Sequence, residues 1–338
     1  MIGRMQVKLS SQADTLRKQK QILIKTEEMK KRFIITALIV LGLNQLYAQQ
    51  EAAYTHYMYN TLVINPAYAG SRDALTFTAL GRFQWVGFKG APTTQTFTAH
   101  TPIAKKNIGL GLSFTNDKIG PTNNTSLDVD FAYRLKVSSK ARLCFGINGG
   151  FNSFSAEVNS LTLADPNDAS FIENRRGKML PSLGAGIYFQ MPNFYLGASV
   201  PSILENSLFA TGSNGSIDVS KERRHYYIIA GAVFNISPSL KFKPTVLGKI
   251  VQNAPFQIDV TGTFMLRELI DLGIMCRTGD GVGALVGVHI SKQLLFGYSF
   301  DWSTGVRTGK YNGGSHEIML RYDLLFNNDG KIKSPRYF

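Results

Sequence analysis

From Ala74 onward the chain repeats one pattern: stretches of about 9–12 residues in which apolar and polar side chains alternate, each followed by a turn. Alternation puts successive side chains on opposite faces of an extended chain, so this pattern confines the fold to sheet. Leu127, Val129, Phe131, Tyr133 and Leu135 share one face, with Asp128, Asp130, Arg134 and Lys136 on the other. Leu294, Phe296, Tyr298, Phe300 and Trp302 alternate with Gln293, Leu295, Gly297, Ser299 and Asp301. Ile318, Leu320 and Tyr322 alternate with Glu317, Met319, Arg321 and Asp323, and Ile108, Leu110, Leu112 and Phe114 with Gly109, Gly111, Ser113 and Thr115.

A soluble sandwich also alternates, with its polar face in water. Two features favour a membrane. The segments exceed the usual strand of about 5–6 residues and match the 9–11 needed to cross a bilayer. The connections also alternate in length. The pattern predicts fourteen strands, near 74–86, 92–102, 107–118, 123–137, 141–156, 181–191, 194–200, 225–236, 240–251, 256–267, 270–279, 282–290, 293–303 and 315–326. Every even-numbered connection is short, and the long ones, 157–180, 201–224 and 304–314, are all odd-numbered. Outer-membrane barrels have short periplasmic turns and long external loops. The expected fold is therefore all-β, a transmembrane antiparallel up-and-down β-barrel of about 14 strands over residues 74–326. Its apolar faces meet outer-membrane lipid, both termini are periplasmic, and residues 327–338 form a periplasmic tail.

Composition agrees. Gly, Phe and Tyr number 32, 22 and 14, as suits a strand-rich chain with many turns. No run of 18 apolar residues occurs, which excludes helical spans but not barrel strands. Aromatics gather at predicted strand ends, as interface girdles require: Phe83, Trp85, Phe151, Phe154, Tyr226, Tyr227, Trp302, Tyr322 and Phe326. The formal charge is +14, but without residues 1–48 the balance is 28 basic against 20 acidic residues. These charges scatter over turns and alternating positions with no nucleic-acid-reading motif, so a nucleic-acid partner is not expected. Cys144 and Cys276 fall on opposite strand faces, which argues against a disulfide.

The amino terminus reads as an export signal. Met29-Lys30-Lys31-Arg32 precedes an apolar core from Phe33 to Leu43, then Ala48 at the expected cut. That core is too short to span a membrane. Residues 29–48 are thus a signal peptide, and the polar residues 1–28 ahead of it read as a non-native extension, with Met29 as the true start.

Signals for catalysis are thin, and no catalytic residue, cofactor or metal is expected. The five histidines have no metal-ligand spacing, and no GxSxG or Walker sequence appears. The Gly-rich run 279–283 reads as a hairpin turn, and the acidic residues of 165–173 read as Asx turns rather than a calcium loop. Asp128, Asp130, Arg134, Lys136, Arg321 and Asp323 would face the lumen, where they would set ion selectivity or pair with one another. Arg175, Arg176, Arg223 and Arg224 are candidate loop contacts for acidic partner surfaces.

Residues 49–73 lie between the signal and the first strand and are too aromatic for a disordered tail. Tyr54, Tyr57, Tyr59, Asn65, Pro66 and Tyr68 mark them as a segment that packs into the periplasmic mouth, binds a periplasmic partner, or lies against the barrel wall. A fourteen-strand barrel needs water or a plug in its lumen.

Tyr57-Met-Tyr-Asn60 with Asn65-Pro-Ala-Tyr-Ala-Gly70 resembles the amino-terminal signature of the PorP/SprF family of type IX secretion membrane proteins. So do Gln84-Trp-Val-Gly-Phe88 with 90–97, Ser315 to Tyr322, and the terminal Ser334-Pro-Arg-Tyr-Phe338. The resemblance covers about residues 49–338. It implies an outer-membrane protein of Bacteroidota tied to type IX secretion and gliding, which aids export or surface anchoring of one large adhesin. Such a cargo carries a C-terminal sorting domain. The resemblance also implies contacts with periplasmic secretion components in some members, and it supplies no catalytic residues. The alternative function is a passive outer-membrane channel or small-solute transporter.

Overall fold

A computed structural model describes residues 53–103, 106–157, 175–207, 222–252, 254–304 and 313–324, with the side chains of 175–178 left out. The signal peptide, the extension before it, the expected girdle residue Phe326, the tail 327–338 and the acidic stretch 165–173 lie outside these residues. The strands are β1 Leu75–Phe83, β2 Thr93–Pro102, β3 Ile108–Ile119, β4 Thr122–Lys136, β5 Arg142–Ala156, β6 Arg175–Met191 and β7 Phe194–Val200. They continue as β8 in two segments, His225–Ala232 and Phe234–Ser237, then β9 Leu240–Val251, β10 Gln257–Leu266 and β11 Ile270–Arg277. The last three are β12 Gly281–His289, β13 Leu294–Ser303 and β14 Ser315–Leu324.

Each strand pairs antiparallel with the next, and β14 returns to β1 from Leu75↔Leu324 to Phe83↔His316. The sheet is a closed fourteen-strand barrel, and closure removes the unpaired edges that an open sheet would carry into lipid. Alternation sets its two faces. On β4, Leu127, Val129, Phe131, Tyr133 and Leu135 point outward, 41–57% exposed, while Asp130, Ala132 and Arg134 are buried inside. Phe83, Phe151, Tyr226, Trp302 and Tyr322 also face outward. Tyr227 does not: it is buried in the lumen, because it is one residue out of phase with Tyr226.

Strand ends depart from the sequence expectation where backbone chemistry intervenes. β1 stops at Phe83 because Trp85 takes a left-handed turn at φ 46°. β6 begins six residues before the expected Pro181. Pro181 sits inside it, paired with Phe151 of β5. Its carbonyl accepts from Asn206 Nδ2, so the side on which it lacks an N–H faces away from β5. There β7 has already ended, since the last β6–β7 pair is Ala185↔Val200, and a proline is tolerated at such an edge. The barrel has one mouth where all connections are short and another that carries the long loops.

Candidate functional site: a segment packed through the barrel

The core of this protein is not sheet against sheet. It is residues 53–73 inside the barrel. Thr55, His56, Tyr57, Met58, Tyr59, Asn60, Thr61, Leu62, Asn65, Ala67, Tyr68 and Ala69 are each 4% exposed or less. Pro66 is buried too and opens a short 3-10 turn, Pro66–Tyr68, as proline can at a helix start. Asn65 caps that turn: its Oδ1 accepts from Ala67 N at 3.0 Å, while its Nδ2 donates to Ile187 O at 3.1 Å.

At the long-loop mouth, Glu317 Oε1 accepts from His56 N and His56 Nδ1, both at 2.7 Å. Its Oε2 accepts from Thr55 N at 2.9 Å and Arg82 Nη1 at 3.1 Å. Thr55 Oγ1 donates to Asp301 Oδ2 at 2.6 Å, and Arg277 Nη2 donates to Tyr54 O at 3.0 Å. In the middle, the Tyr57 hydroxyl lies 3.1 and 3.2 Å from the Thr245 and Thr261 hydroxyls. Asn60 bridges Thr96 and Thr98 of β2, both at 3.0 Å. Tyr59 donates to Asp271 Oδ2 at 2.6 Å. Lys243 Nζ and the Arg321 guanidinium lie 5.0 and 5.2 Å from the Tyr59 ring centre.

At the short-turn mouth, Arg72 grips Asp323 with both arms, Nε at 3.1 Å and Nη2 at 2.8 Å. Asp73 there accepts from Arg134 at 2.8 Å and Arg142 at 2.9 Å, and Gln190 Nε2 donates to Ser71 O at 3.1 Å. Asp73, at φ 53°, turns the chain out of the lumen into β1.

Glycines on the wall make the room. A Cβ at Gly109 would lie 2.0 Å from Ala69 O, at Gly146 2.1 Å from Ala67 N, and at Gly186 2.2 Å from Asn65 Oδ1. The lumen beside the segment is tight: a recess between Tyr54, Tyr57, Tyr227 and Leu247 has room for only about one or two waters.

The sequence-level site residues sort as follows. Tyr54, Tyr57, Tyr59, Asn65, Pro66 and Tyr68 all lie inside the barrel, not outside its mouth. Of the lumen charges, Asp130, Arg134, Arg321 and Asp323 are buried, Asp128 is half-buried, and Lys136 is exposed at the end of β4. Arg134 and Asp323 bind the amino-terminal segment, and the Arg321 guanidinium lies over the Tyr59 ring. Arg223 is exposed, and Arg224 ties back to its own loop through Ile203 O at 2.7 Å and Glu205 at 3.7 Å. Arg175 and Arg176 enter β6, and their side chains lie outside the described residues. Thr55, His56, Arg72, Arg82, Asp301 and Glu317 were missed as segment contacts. Cys144 is buried and Cys276 exposed, both free, and no cluster of potential metal ligands occurs among the described residues.

The sequence model for the type IX secretion system membrane protein PorP/SprF matches residues 46–322, which takes in both the internal segment and nearly the whole barrel. The chain belongs to the PorP/SprF family. No curated protein matches this PorP/SprF chain by sequence. Among solved structures it is similar to the CymD monoaromatic hydrocarbon channel at 9% identity, covering 80% of this chain and 93% of that one, TM-score 0.49. It is also similar to the Ralstonia pickettii toluene transporter TbuX at 10% identity, covering 78% and 92%, TM-score 0.44. For Acinetobacter baumannii Omp33 the figures are 8% identity, 75% and 100%, TM-score 0.43. This PorP/SprF protein is an outer-membrane β-barrel of the type IX secretion family.

Proposed function

We propose that this barrel is a non-enzymatic scaffold. In this reading it holds the C-terminal secretion domain of one large secreted adhesin at its long-loop mouth, so that the adhesin is exported to, or retained on, the cell surface for gliding. Periplasmic secretion components meet the short-turn mouth. The observation that carries the reading is the occupied lumen: Glu317, Asp271, Asp323 and Arg277 are committed to residues 54–72 rather than to a solute path. Family membership supports the link to type IX secretion. The upper part of β6 supports the docking mouth. Toward its start from Ala185, and among the described residues, it pairs with β5 on one side, and its other side meets single bonds from Ile203 N and Asn206 Nδ2. A strand edge of this kind accepts an extended segment by β-augmentation.

Two measurements test the proposal. Purified barrel in planar bilayers is expected to be electrically silent; steady conductance would mean a channel instead. Deleting the gene is expected to strip one large protein from the cell surface, and an unchanged surface proteome ends the scaffold reading.

A further inference from the structure

We infer that the amino-terminal end of the internal segment is displayed at the outer, long-loop mouth, where it forms part of the floor that the secreted partner touches. The second clause rests on the function proposed above; the first does not.

The segment has a direction. Its early residues are fixed to the strand ends that carry the long loops. Thr55 bonds Glu317 near the start of β14 and Asp301 near the end of β13. Tyr54 O accepts from Arg277, the last residue of β11. Half-buried Ala53 lines the recess with Lys249 and with Gln257, the first residue of β10. Its late residues are fixed to the opposite strand ends. Arg72 holds Asp323 beside the end of β14, Ser71 O accepts from Gln190 beside the end of β6, and Asp73 holds Arg142 at the start of β5. Between Ala53 and Asp73 the chain therefore crosses the barrel from one mouth to the other.

Strand parity alone would put the amino terminus in the periplasm, because β1 begins at the short-turn mouth. The crossing reverses that. Whatever partner sits among the long loops faces Ala53 and Tyr54 as well as the loops. Sliding the segment to reverse its direction would separate Arg72 from Asp323 and Thr55 from Glu317, both buried at opposite ends.

The test is thiol labelling on intact cells. Ala53→Cys and, as a reference on a short turn, Lys140→Cys are each made in the Cys276→Ser protein, and a membrane-impermeant maleimide is applied. Ala53→Cys is expected to label on intact cells, and Lys140→Cys only after permeabilisation. Blocking type IX secretion, which keeps surface partners from arriving, is expected to speed labelling at Ala53→Cys. Labelling of Ala53→Cys only after permeabilisation overturns the topology and leaves the scaffold reading standing. Labelling at equal rates with and without secretion overturns the partner contact. Should Ala53→Cys fail to accumulate, a short epitope placed ahead of Glu51 and probed with antibody on intact cells reads the same topology.

Discussion

Replacing Gly146 with alanine tests whether the internal segment is a fixed part of the fold. A Cβ there would lie 2.1 Å from Ala67 N, 2.4 Å from Ala67 Cα and 2.5 Å from Pro66 C. Ordinary contact begins near 3.4 Å, so the segment must move by about 1.3 Å. No rotamer relieves the clash, because all three atoms are backbone. Movement also strains the Asn65 cap, which holds Ala67 N and Ile187 O. Overpacking of this kind costs about 1–3 kcal/mol, and each bond lost adds about 1 kcal/mol. Gly149, on the same strand, provides the control, since a Cβ there meets nothing within 4 Å. Both substitutions carry the same unfolded-state benefit of about 0.4–1 kcal/mol, which cancels between them. Gly146→Ala should therefore be less stable than Gly149→Ala by about 2–5 kcal/mol, at least roughly 30-fold in the unfolding constant. Urea unfolding of the lipid-reconstituted barrel, followed through its two tryptophans, reads the difference. Equal midpoints and slopes for the two variants would refute the packing. So would rescue of Gly146→Ala by Ala67→Gly, which removes a side chain that is not part of the clash.

The Arg72–Asp323 pair is buried on both sides. Arg72→Met or Asp323→Leu alone should destabilise by about 3–5 kcal/mol, while the double variant should cost clearly less than their sum; additivity would show that the pair does not hold the segment. Glu317→Gln keeps the size of the acceptor but removes its charge from the donors on Thr55, His56 and Arg82, and should cost about 2–3 kcal/mol in the same unfolding assay. Tyr57→Phe removes the hydroxyl that meets Thr245 and Thr261 and should cost about 0.5–1.5 kcal/mol in the same unfolding assay; unchanged stability would contradict a role for that contact.

The barrel was legible because lipid outside, and inside a packed segment whose backbone and side chains must be hydrogen-bonded, impose opposite chemistry on alternate residues, as along Leu127 to Leu135. The strand ends were less so where single residues act locally. Trp85 ends β1 with a left-handed turn, and Pro181 hid the start of β6, because proline reads as a boundary unless the neighbouring strand is known to be absent. The aromatic character of residues 54–68 singled out the internal segment, but nothing local could say whether it lay in the lumen or against the wall. That depends on partners far along the chain, such as Ile187 for Asn65, 122 residues away, and Glu317 for Thr55, 262 residues away.

A signal for the segment nonetheless stood in the strands themselves. Glycine within a strand contributes no side chain and weakens it, and it often marks a place where another backbone comes close. Gly109, Gly146 and Gly186 occupy inward positions on β3, β5 and β6, and each is where a Cβ would strike residues 65–69. The inward charges carry the complementary message. Glu317 and Arg82 sit opposite each other across the β1–β14 seam, yet Glu317 accepts from three donors of the segment as well as from Arg82. A water-filled channel would leave its carboxylates to solvent and would have no reason to strip Cβ atoms from its wall. Inward glycine beside inward charge is what a barrel needs when a second stretch of its own chain must lie against the wall and be hydrogen-bonded there.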